Sequence, residues 1–236
     1  MASAKEWVGS VLGRLFFHDA TVTRVREVSP RFREIELEGA ALRGLSWQAG
    51  DKVQAMMPGM NMRTYTPLHW DSERGATVFL VYLHGSSPGA QWGREVRVGA
   101  GVQFIGPRRS LSLDDHPGAT VFFGDETSFG VAHAFKRTRA PRDFTSVFEV
   151  SNPEESTAVL GELGLEGAVA RTADDAHLVE VHERLRAALQ AHPEACLVMT
   201  GKAQSIQALR GRLKADGLKP ASRVKAYWSV GKTGLD

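Results

Sequence analysis

The hydrophobic pattern of this chain changes its period near residue 107, and this change constrains the fold more than any other feature. Before it, short runs such as 21–25 and 33–37 alternate between apolar and polar residues, with Gly, Pro, Asp and Ser between the runs. After it, compact apolar runs such as 120–123 are followed by segments of helical period such as 129–137. Strict alternation predicts antiparallel strands, whereas strands that alternate with helices predict crossover units and a parallel sheet.

We therefore predict a β domain followed by an α/β domain. Residues 1–112 form an N-terminal antiparallel β-barrel preceded by a helix at 6–17, and residues 113–236 form a parallel-sheet domain of the nucleotide-binding type. The apolar face of the first helix is expected to pack on its own chain, with a dimer contact as the alternative. The predicted strands are 21–25, 33–37, 52–56, 77–83, 102–105, 120–123, 145–150, 168–170, 196–199 and 223–228, and the predicted helices after the first are 90–96, 129–137, 154–163, 177–190 and 203–214.

Composition places the chain among ordinary globular proteins. Of its 236 residues, 42% are hydrophobic and the net charge is only +2, which favours neither nucleic acid nor an acidic membrane as a partner. The single cysteine, Cys196, excludes an intramolecular disulfide, and its apolar surroundings in the sequence predict a core position. No apolar stretch approaches the roughly 20 residues that span a bilayer, and no secretory leader is visible. We expect a cytoplasmic protein without membrane insertion, as a monomer or weak dimer.

The segment Arg63-Thr64-Tyr65-Thr66 has a pattern suited to binding a flavin dinucleotide. Alternate residues of a strand face the same way, so Arg63 and Tyr65 share one surface. A guanidinium can donate two parallel hydrogen bonds to pyrophosphate oxygens, and the tyrosine ring can lie on an isoalloxazine. Thr66 can offer its backbone N–H or its hydroxyl to the hydrogen-bonding edge of that ring. The alternative is an ordinary strand with a surface arginine and a packing tyrosine.

A small, polar turn follows at residues 84–92 and opens a predicted helix. Free N–H groups at a helix N-terminus bind phosphate, so this turn is a second candidate contact with a dinucleotide. The alternative is a polar turn with a helix cap. The histidine is better suited to a structural or cofactor contact than to proton donation. The candidate contacts in this turn are His84, Gly85, Ser87, Gly89, Ala90, Gln91 and Trp92.

A third candidate site follows the apolar strand at 120–123, where residues 124–128 read Gly-Asp-Glu-Thr-Ser. The turn between strand and helix is where α/β sheets bind ligands, which makes Asp125, Thr127 and Ser128 candidate contacts. Two acidic residues repel phosphate, and no Gly-x-Gly-x-x-Gly fingerprint is present, so a Rossmann-type phosphate turn is not expected. The alternative is a helix cap. Near the C-terminus, Trp228 can cover a flavin face or line the mouth of the substrate site, and the alternative is that it packs the last strand.

In their order and spacing, these motifs resemble the siderophore-interacting, FAD-binding branch of the ferredoxin-reductase-like flavoproteins, over roughly residues 20–231. The tetrapeptide Gly-Asp-Glu-Thr at 124–127 is identical to the signature of that family at the same place. The family usually has a second arginine where this chain has Leu68. It also has a glutamate where this chain has Lys202, and an arginine where this chain has Ser229.

The resemblance implies an FAD-dependent oxidoreductase. Electrons from NAD(P)H or a reduced ferredoxin would pass through the flavin to ferric iron in a siderophore chelate, or to another small-molecule acceptor. The redox chemistry belongs to the flavin, so neither a catalytic acid or base nor a protein metal site is expected. Ferric chelates are often anionic, which makes cations the expected substrate contacts. The candidate cations are Lys202, Lys225, Lys232, Arg108 and Arg109.

Three alternatives remain open at this point. The chain is a general NAD(P)H–flavin or quinone reductase without an iron substrate, a flavin- or siderophore-binding carrier without turnover, or an interaction module without flavin. Bound flavin separates the last from the others, and NAD(P)H oxidation separates the enzymes from the carrier.

Overall fold

The computed structural model describes residues 17–57 and 61–231. The chain divides into two compact units, Met1–Ser110 and Leu111–Asp236. The helix predicted at 6–17 lies outside the described residues.

The first unit contains a seven-stranded antiparallel sheet in the order β4-β3-β7-β1-β2-β6-β5. One helix, α1 (Pro88–Glu95), lies between β6 and β7. All neighbouring strands of this sheet pair antiparallel, as the alternating sequence pattern predicts. The strands are β1 (His18–Ser29), β2 (Phe32–Glu38), β3 (Lys52–Met57), β4 (Asn61–Tyr65), β5 (His69–Asp71), β6 (Ala76–Tyr82) and β7 (Gly101–Arg108).

Ring contacts show that this sheet curls around a single core. Tyr65 on β4 stacks on Phe79 of β6 with ring centroids 5.3 Å apart, although four strands separate β4 from β6 in the sheet order. Trp70 on the edge strand β5 meets Phe104 of β7 edge-on at 6.1 Å. Strands that are far apart in a flat sheet can meet in this way only if the sheet bends back on itself. The first unit therefore has the curvature expected of a β-barrel.

The second unit is a five-stranded parallel sheet in the order β10-β9-β8-β11-β12. Along the chain, a helix follows each of the strands β8, β9, β10 and β11. This alternation of strands and helices confirms the predicted fold class. The strands are β8 (Thr120–Asp125), β9 (Phe144–Val150), β10 (Ala168–Ala170), β11 (Cys196–Lys202) and β12 (Ser222–Trp228). The helices are α2 (Phe129–Lys136), α3 (Pro153–Glu162), α4 (Leu178–Ala191) and α5 (Ala203–Ala215).

The order of the parallel strands sets the position of the ligand-binding crevice. From β8 the chain moves outward in one direction through β9 and β10, then returns to the other side of β8 for β11 and β12. This reversal makes the gap between the carboxyl ends of β8 and β11 the topological switch point, where open α/β sheets bind ligands. Side chains of α4 and α5 form a core with one face of the sheet, including Phe123 and Met199. No helix in the part of the chain that the structure describes has the length and apolarity needed to cross a bilayer.

The glycine before β10 is required by the backbone. Gly167 has φ +99°, and a Cβ there would overlap the carbonyl oxygen of Ser146. We expect Gly167→Ala to lower the free energy of unfolding by about 2 kcal/mol or more, because it combines a strained φ with a clash against backbone. Gly211→Ala, in the open interior of α5, is the control and should raise stability by about 0.5–1 kcal/mol. Urea unfolding of both variants measures the two effects, and equal stabilities would contradict this account.

Candidate functional site

The start of α1 lies against β4 in the first unit. A Cβ on Gly89, the second residue of the helix, would be 3.1 Å from the Tyr65 hydroxyl and 3.3 Å from Cγ of Arg63. The absence of a side chain at Gly89 therefore lets the helix N-terminus approach both residues. Arg63 and Gly89 are 26 residues apart in the sequence. The fold thus brings an arginine, a tyrosine and a helix N-terminus together. We refer to Arg63, Tyr65 and the Ser87–Ala90 turn as the β4–α1 cradle.

The cradle retains hydrogen-bond donors suited to an anion. Ser87 caps α1 by accepting a hydrogen bond from the N–H of Ala90 at 3.3 Å, and Pro88 has no N–H to satisfy. Gly89 is the second residue of α1, so no carbonyl within the helix can accept from its N–H. The guanidinium of Arg63 donates from Nη1 to the carbonyl oxygen of Met62 at 2.7 Å, which uses one of the five N–H donors that a guanidinium carries. Donors of this kind suit a phosphate group.

The ring of Tyr65 is held rigidly. It stacks nearly parallel on Phe79, at an angle of 9°, and makes a tilted contact with Trp92 at 6.1 Å. Burial raises the pKa of the Tyr65 phenol well above its usual value, and the positive charge of Arg63 opposes this only partly. The phenol therefore stays protonated and can donate a hydrogen bond. The residue as a whole is half-buried.

The other residues predicted in this region have different environments. Ala90 and Trp92 are buried, so their side chains belong to the core. Gln91 is exposed and donates to Glu95 at 3.1 Å. His84 stacks on Tyr82 at 5.1 Å, and Gly85 has φ +56° in the turn between them and the helix. Thr64 and Thr66 are half-buried, and Leu68, which stands where the family usually has a second arginine, lies in the core.

In the second unit, Asp125 lies buried at the switch point. Its carboxylate accepts hydrogen bonds from the N–H of Thr127 at 2.9 Å and from Nε1 of Trp228 at 2.7 Å, and it also bonds the Thr127 hydroxyl. Burial raises the pKa of Asp125 to about 6, with the hydrogen bonds from Thr127 and Trp228 opposing the rise. Ser128 is also buried, and its hydroxyl has no partner among the described residues. Three of the predicted contacts thus meet around one carboxylate: Asp125, Thr127 and Trp228.

The neighbouring acidic residue has a different set of partners. Glu126 accepts hydrogen bonds from the N–H of Ser151 at 2.6 Å and from its hydroxyl, and it pairs with Arg171 at 3.1 Å. Burial acts to raise the pKa of Glu126, but the Arg171 charge and the Ser151 hydrogen bonds outweigh it and hold the pKa below its usual value. Its negative charge is therefore neutralised inside the protein, so it does not repel phosphate as the sequence alone suggests.

The sequence motifs do not include a second buried pair, which consists of Glu149 on β9 and His177 before α4. Glu149 is fully buried and accepts a hydrogen bond from Nε2 of His177 at 2.8 Å and from Ser205 at 2.9 Å. The main-chain N–H of Thr172 donates to Nδ1 of the same histidine, which places the ring proton on Nε2. Arg171 approaches within 3.9 Å of the other Glu149 oxygen. A glutamate inside an apolar strand is the only local signal in the sequence for this network.

The three candidate substrate lysines have different environments. Nζ of Lys202 donates to Asp175 at 2.8 Å, and only 10% of the lysine side chain is exposed. Its charge is therefore paired inside the protein. Lys225 is half-buried on β12, while Lys232 lies outside the described residues. Arg108 at the end of β7 is exposed, as is Arg109 after it.

One protein-family model matches the region that contains the β4–α1 cradle. Residues 54–111 match the siderophore-interacting FAD-binding domain. The match includes β4, the 84–92 turn and α1, and it confirms the resemblance seen in the motifs. No curated protein sequence matches the chain.

Solved structures extend the likeness to both units. A siderophore utilization protein from T. fusca is 24% identical, with 93% of this chain and 95% of that chain covered and a TM-score of 0.73. The siderophore-interacting protein SipS from Aeromonas hydrophila is 18% identical, with 92% and 93% covered and a TM-score of 0.74. Phthalate dioxygenase reductase is 14% identical, with 93% and 71% covered and a TM-score of 0.72. At these identities the likeness establishes the ferredoxin-reductase-like fold.

The cradle residues fit the cofactor of the siderophore-interacting FAD-binding domain. A Cβ at position 89 would be 3.3 Å from Cγ of Arg63, so the glycine lets the helix N-terminus and the arginine lie side by side. The donors around it are one guanidinium and one helix N-terminus, which suit a pyrophosphate carrying two negative charges. The charge and the donors of these residues therefore fit an FAD pyrophosphate.

The raised pKa of Asp125 predicts a pH-dependent stability. The folded state binds a proton at about pH 6, whereas the unfolded carboxyl has the ordinary value of 3.8, so this contribution to stability is present at low pH and is lost as the pH rises through 6. Between about pH 8 and about pH 5, the wild type should gain about 1 kcal/mol relative to Asp125→Asn. Urea unfolding at both pH values measures this difference. A difference that does not change with pH would show that the carboxyl is ionised throughout.

Proposed function

We propose that this chain is an FAD-dependent oxidoreductase that passes electrons from NAD(P)H or ferredoxin to ferric iron held in a siderophore or a similar chelate. The observation that supports this most is the β4–α1 cradle. In it, Gly89 brings a helix N-terminus against Arg63 inside the region that matches a siderophore-interacting FAD-binding domain. The reducing cytoplasm, which supplies such donors, is the proposed location.

We assign the binding of FAD to the first unit. The Arg63 guanidinium and the N–H of Gly89 hold the pyrophosphate, and the rigid Tyr65 ring supports the isoalloxazine. Thr66 offers hydrogen bonds to the ring edge. Ala90 and Trp92 contribute by packing the helix, because their side chains are buried. The remaining proposed contacts are Thr64, His84, Gly85, Ser87 and Gln91.

When bound, FAD supplies chemistry that the side chains lack, because it takes two electrons with a hydride and releases them singly. The balance is one NAD(P)H and two ferric ions giving NAD(P)⁺, one proton and two ferrous ions. The role of the protein is to bind and orient the reactants. Reduction of the iron weakens its binding to the chelate, because hard oxygen ligands prefer ferric iron.

We assign the nucleotide donor to the carboxyl edge of the parallel sheet in the second unit. This is the switch point, where ligands bind in sheets of this topology. Thr127, Ser128 and Trp228 are the proposed contacts there, and Asp125 is proposed to contribute through its hydrogen bonds to Thr127 and Trp228. Lys225 and Lys232 remain proposed contacts for an anionic chelate.

The ion pair of Lys202 with Asp175 favours a second candidate function. Because the lysine charge is already paired, it offers less attraction to an anionic chelate than an unpaired cation would. A quinone reductase, one form of the general NAD(P)H–flavin or quinone reductase, needs no such attraction, since a quinone is neutral.

Steady-state assays separate these functions. The purified protein is supplied with FAD and with NADH, NADPH or reduced ferredoxin under anaerobic conditions, and either a ferric siderophore or a quinone is the acceptor. Formation of a ferrous chromogenic complex that depends on both the protein and FAD supports the proposal. Nucleotide oxidation with the quinone alone supports the second candidate, and bound FAD without oxidation of either nucleotide or reduced ferredoxin indicates a carrier.

Removal of the Arg63 side chain should weaken FAD binding without unfolding the protein. The lost charge-assisted hydrogen bonds correspond to an increase of about 10- to 100-fold in the Kd for FAD for Arg63→Ala. The Kd of Arg63→Lys for FAD should lie between those of this variant and the wild type, because lysine keeps the charge but cannot donate two parallel hydrogen bonds. Quenching of flavin fluorescence gives each Kd. Arg24→Ala, an exposed arginine on β1, is the control, and an equal loss in both alanine variants would contradict the assignment.

A further inference from the structure

We propose that Asp125 is a positioning residue whose carboxylate fixes the plane of the Trp228 indole at the switch point, so that the ring forms a preset surface for the planar ring of the nucleotide donor. The use of that surface by a nucleotide donor rests on the proposed function. The positioning itself rests on contacts within the second unit alone.

The carboxylate of Asp125 reaches the indole across a glycine. Asp125 ends β8 and Trp228 ends β12, and β11 lies between these two strands. At that crossing point β11 has Gly201, with φ +98°, and a Cβ there would overlap Oδ2 of Asp125. The missing side chain therefore provides the passage through which a short acidic residue bonds a ring two strands away.

An irregularity in β12 accompanies this contact. Gly201 pairs with Ala226, but the next residue of β11, Lys202, pairs with Trp228, so β12 has one extra residue at this point. Such bulges redirect the side chains that follow them. Here the bulge comes directly before Trp228, whose indole bonds Asp125.

The hydrogen-bonding pattern requires a carboxylate rather than an amide. Oδ1 of Asp125 accepts from the main-chain N–H of Thr127, and Oδ2 accepts from Nε1 of Trp228. Both partners are N–H groups that can only donate. An asparagine offers one acceptor and one donor, so it must leave one of these two groups facing another donor. Asp125→Asn is therefore nearly isosteric but breaks the pattern.

A second contact holds the face of the same ring. The guanidinium carbon of Arg171 lies 5.9 Å from the centroid of the Trp228 ring. Arg171 is itself fixed by Glu126 at 3.1 Å and by the carbonyl oxygen of Glu149 at 3.0 Å. The indole is thus held at its N–H edge by an anion and over its face by a cation, while the residue stays only half-buried. A half-buried aromatic residue held in this way suits stacking against a planar ligand.

Nuclear magnetic resonance tests the positioning without any cofactor. The chain has five tryptophans, and Trp228→Phe identifies the indole N–H signal of Trp228 by its loss. We expect this signal to move upfield and to exchange faster with water in Asp125→Asn. Thr127→Val is the matched control, because it removes the other side-chain partner of Asp125 but keeps the bond to Trp228, and its signal should stay near the wild-type position. An unchanged signal in Asp125→Asn would overturn the proposal.

A double-mutant cycle tests the use of the positioned ring. Asp125→Asn and Trp228→Phe should each lower kcat/KM for the nucleotide donor by about fivefold, the loss expected for one misplaced aromatic contact. Because both changes break the same hydrogen bond, the double variant should lose no more than either single one. Losses that multiply would show that Asp125 does not act through Trp228.

The two tests fail independently. If the wild type oxidises neither nucleotide, the proposed nucleotide-dependent activity fails, but the indole signal still decides whether Asp125 positions Trp228. If the signal responds as expected in an active enzyme whose kcat/KM is unchanged in Asp125→Asn, the ring is positioned but not used, and the inference is wrong.

Discussion

The pairing of buried carboxylates with donors from neighbouring strand ends is the constraint on which the second unit depends. Asp125, Glu126 and Glu149 lie at the carboxyl ends of β8 and β9, and an unpaired charge at such depth would strongly destabilise the fold. Each is bonded to a residue from another segment: Trp228 at the end of β12, Arg171 after β10, and His177 before α4. These bonds tie the strand ends together at the edge where sheets of this topology bind ligands.

A comparable device shapes the first unit, where a glycine rather than a charge allows the close approach. Gly89 lets α1 meet Arg63, just as Gly201 lets Asp125 pass over β11. In both units the missing side chain lies beside the polar groups that we propose to be functional. The candidate sites therefore depend as much on where the chain has no side chain as on the charged residues themselves.

The sequence predicted most of the fold because the apolar periodicity of its long elements is strong. Strands such as β9 and helices such as α5 begin and end within one or two residues of their predicted limits. The three-residue strand β5 was missed because it is too short for a period to show. The partners of the Gly-Asp-Glu-Thr turn were missed for another reason: Arg171 and Trp228 lie 45 and 103 residues away from their acceptors. Arg171 and Trp228 reach these acceptors because the acceptors are buried at a strand end, and a local sequence pattern does not predict that burial.

The most direct test of the account is a single turnover of the FAD-loaded protein with a ferric siderophore in the absence of any donor. The protein is loaded with one equivalent of FAD and reduced chemically under anaerobic conditions, and the chelate is then added while visible flavin absorbance and ferrous iron are followed. The account predicts that the absorbance recovers and that two ferrous ions form for each FAD, faster than with free FAD. Recovery no faster than that of free FAD, or a protein that takes up no FAD, would contradict it.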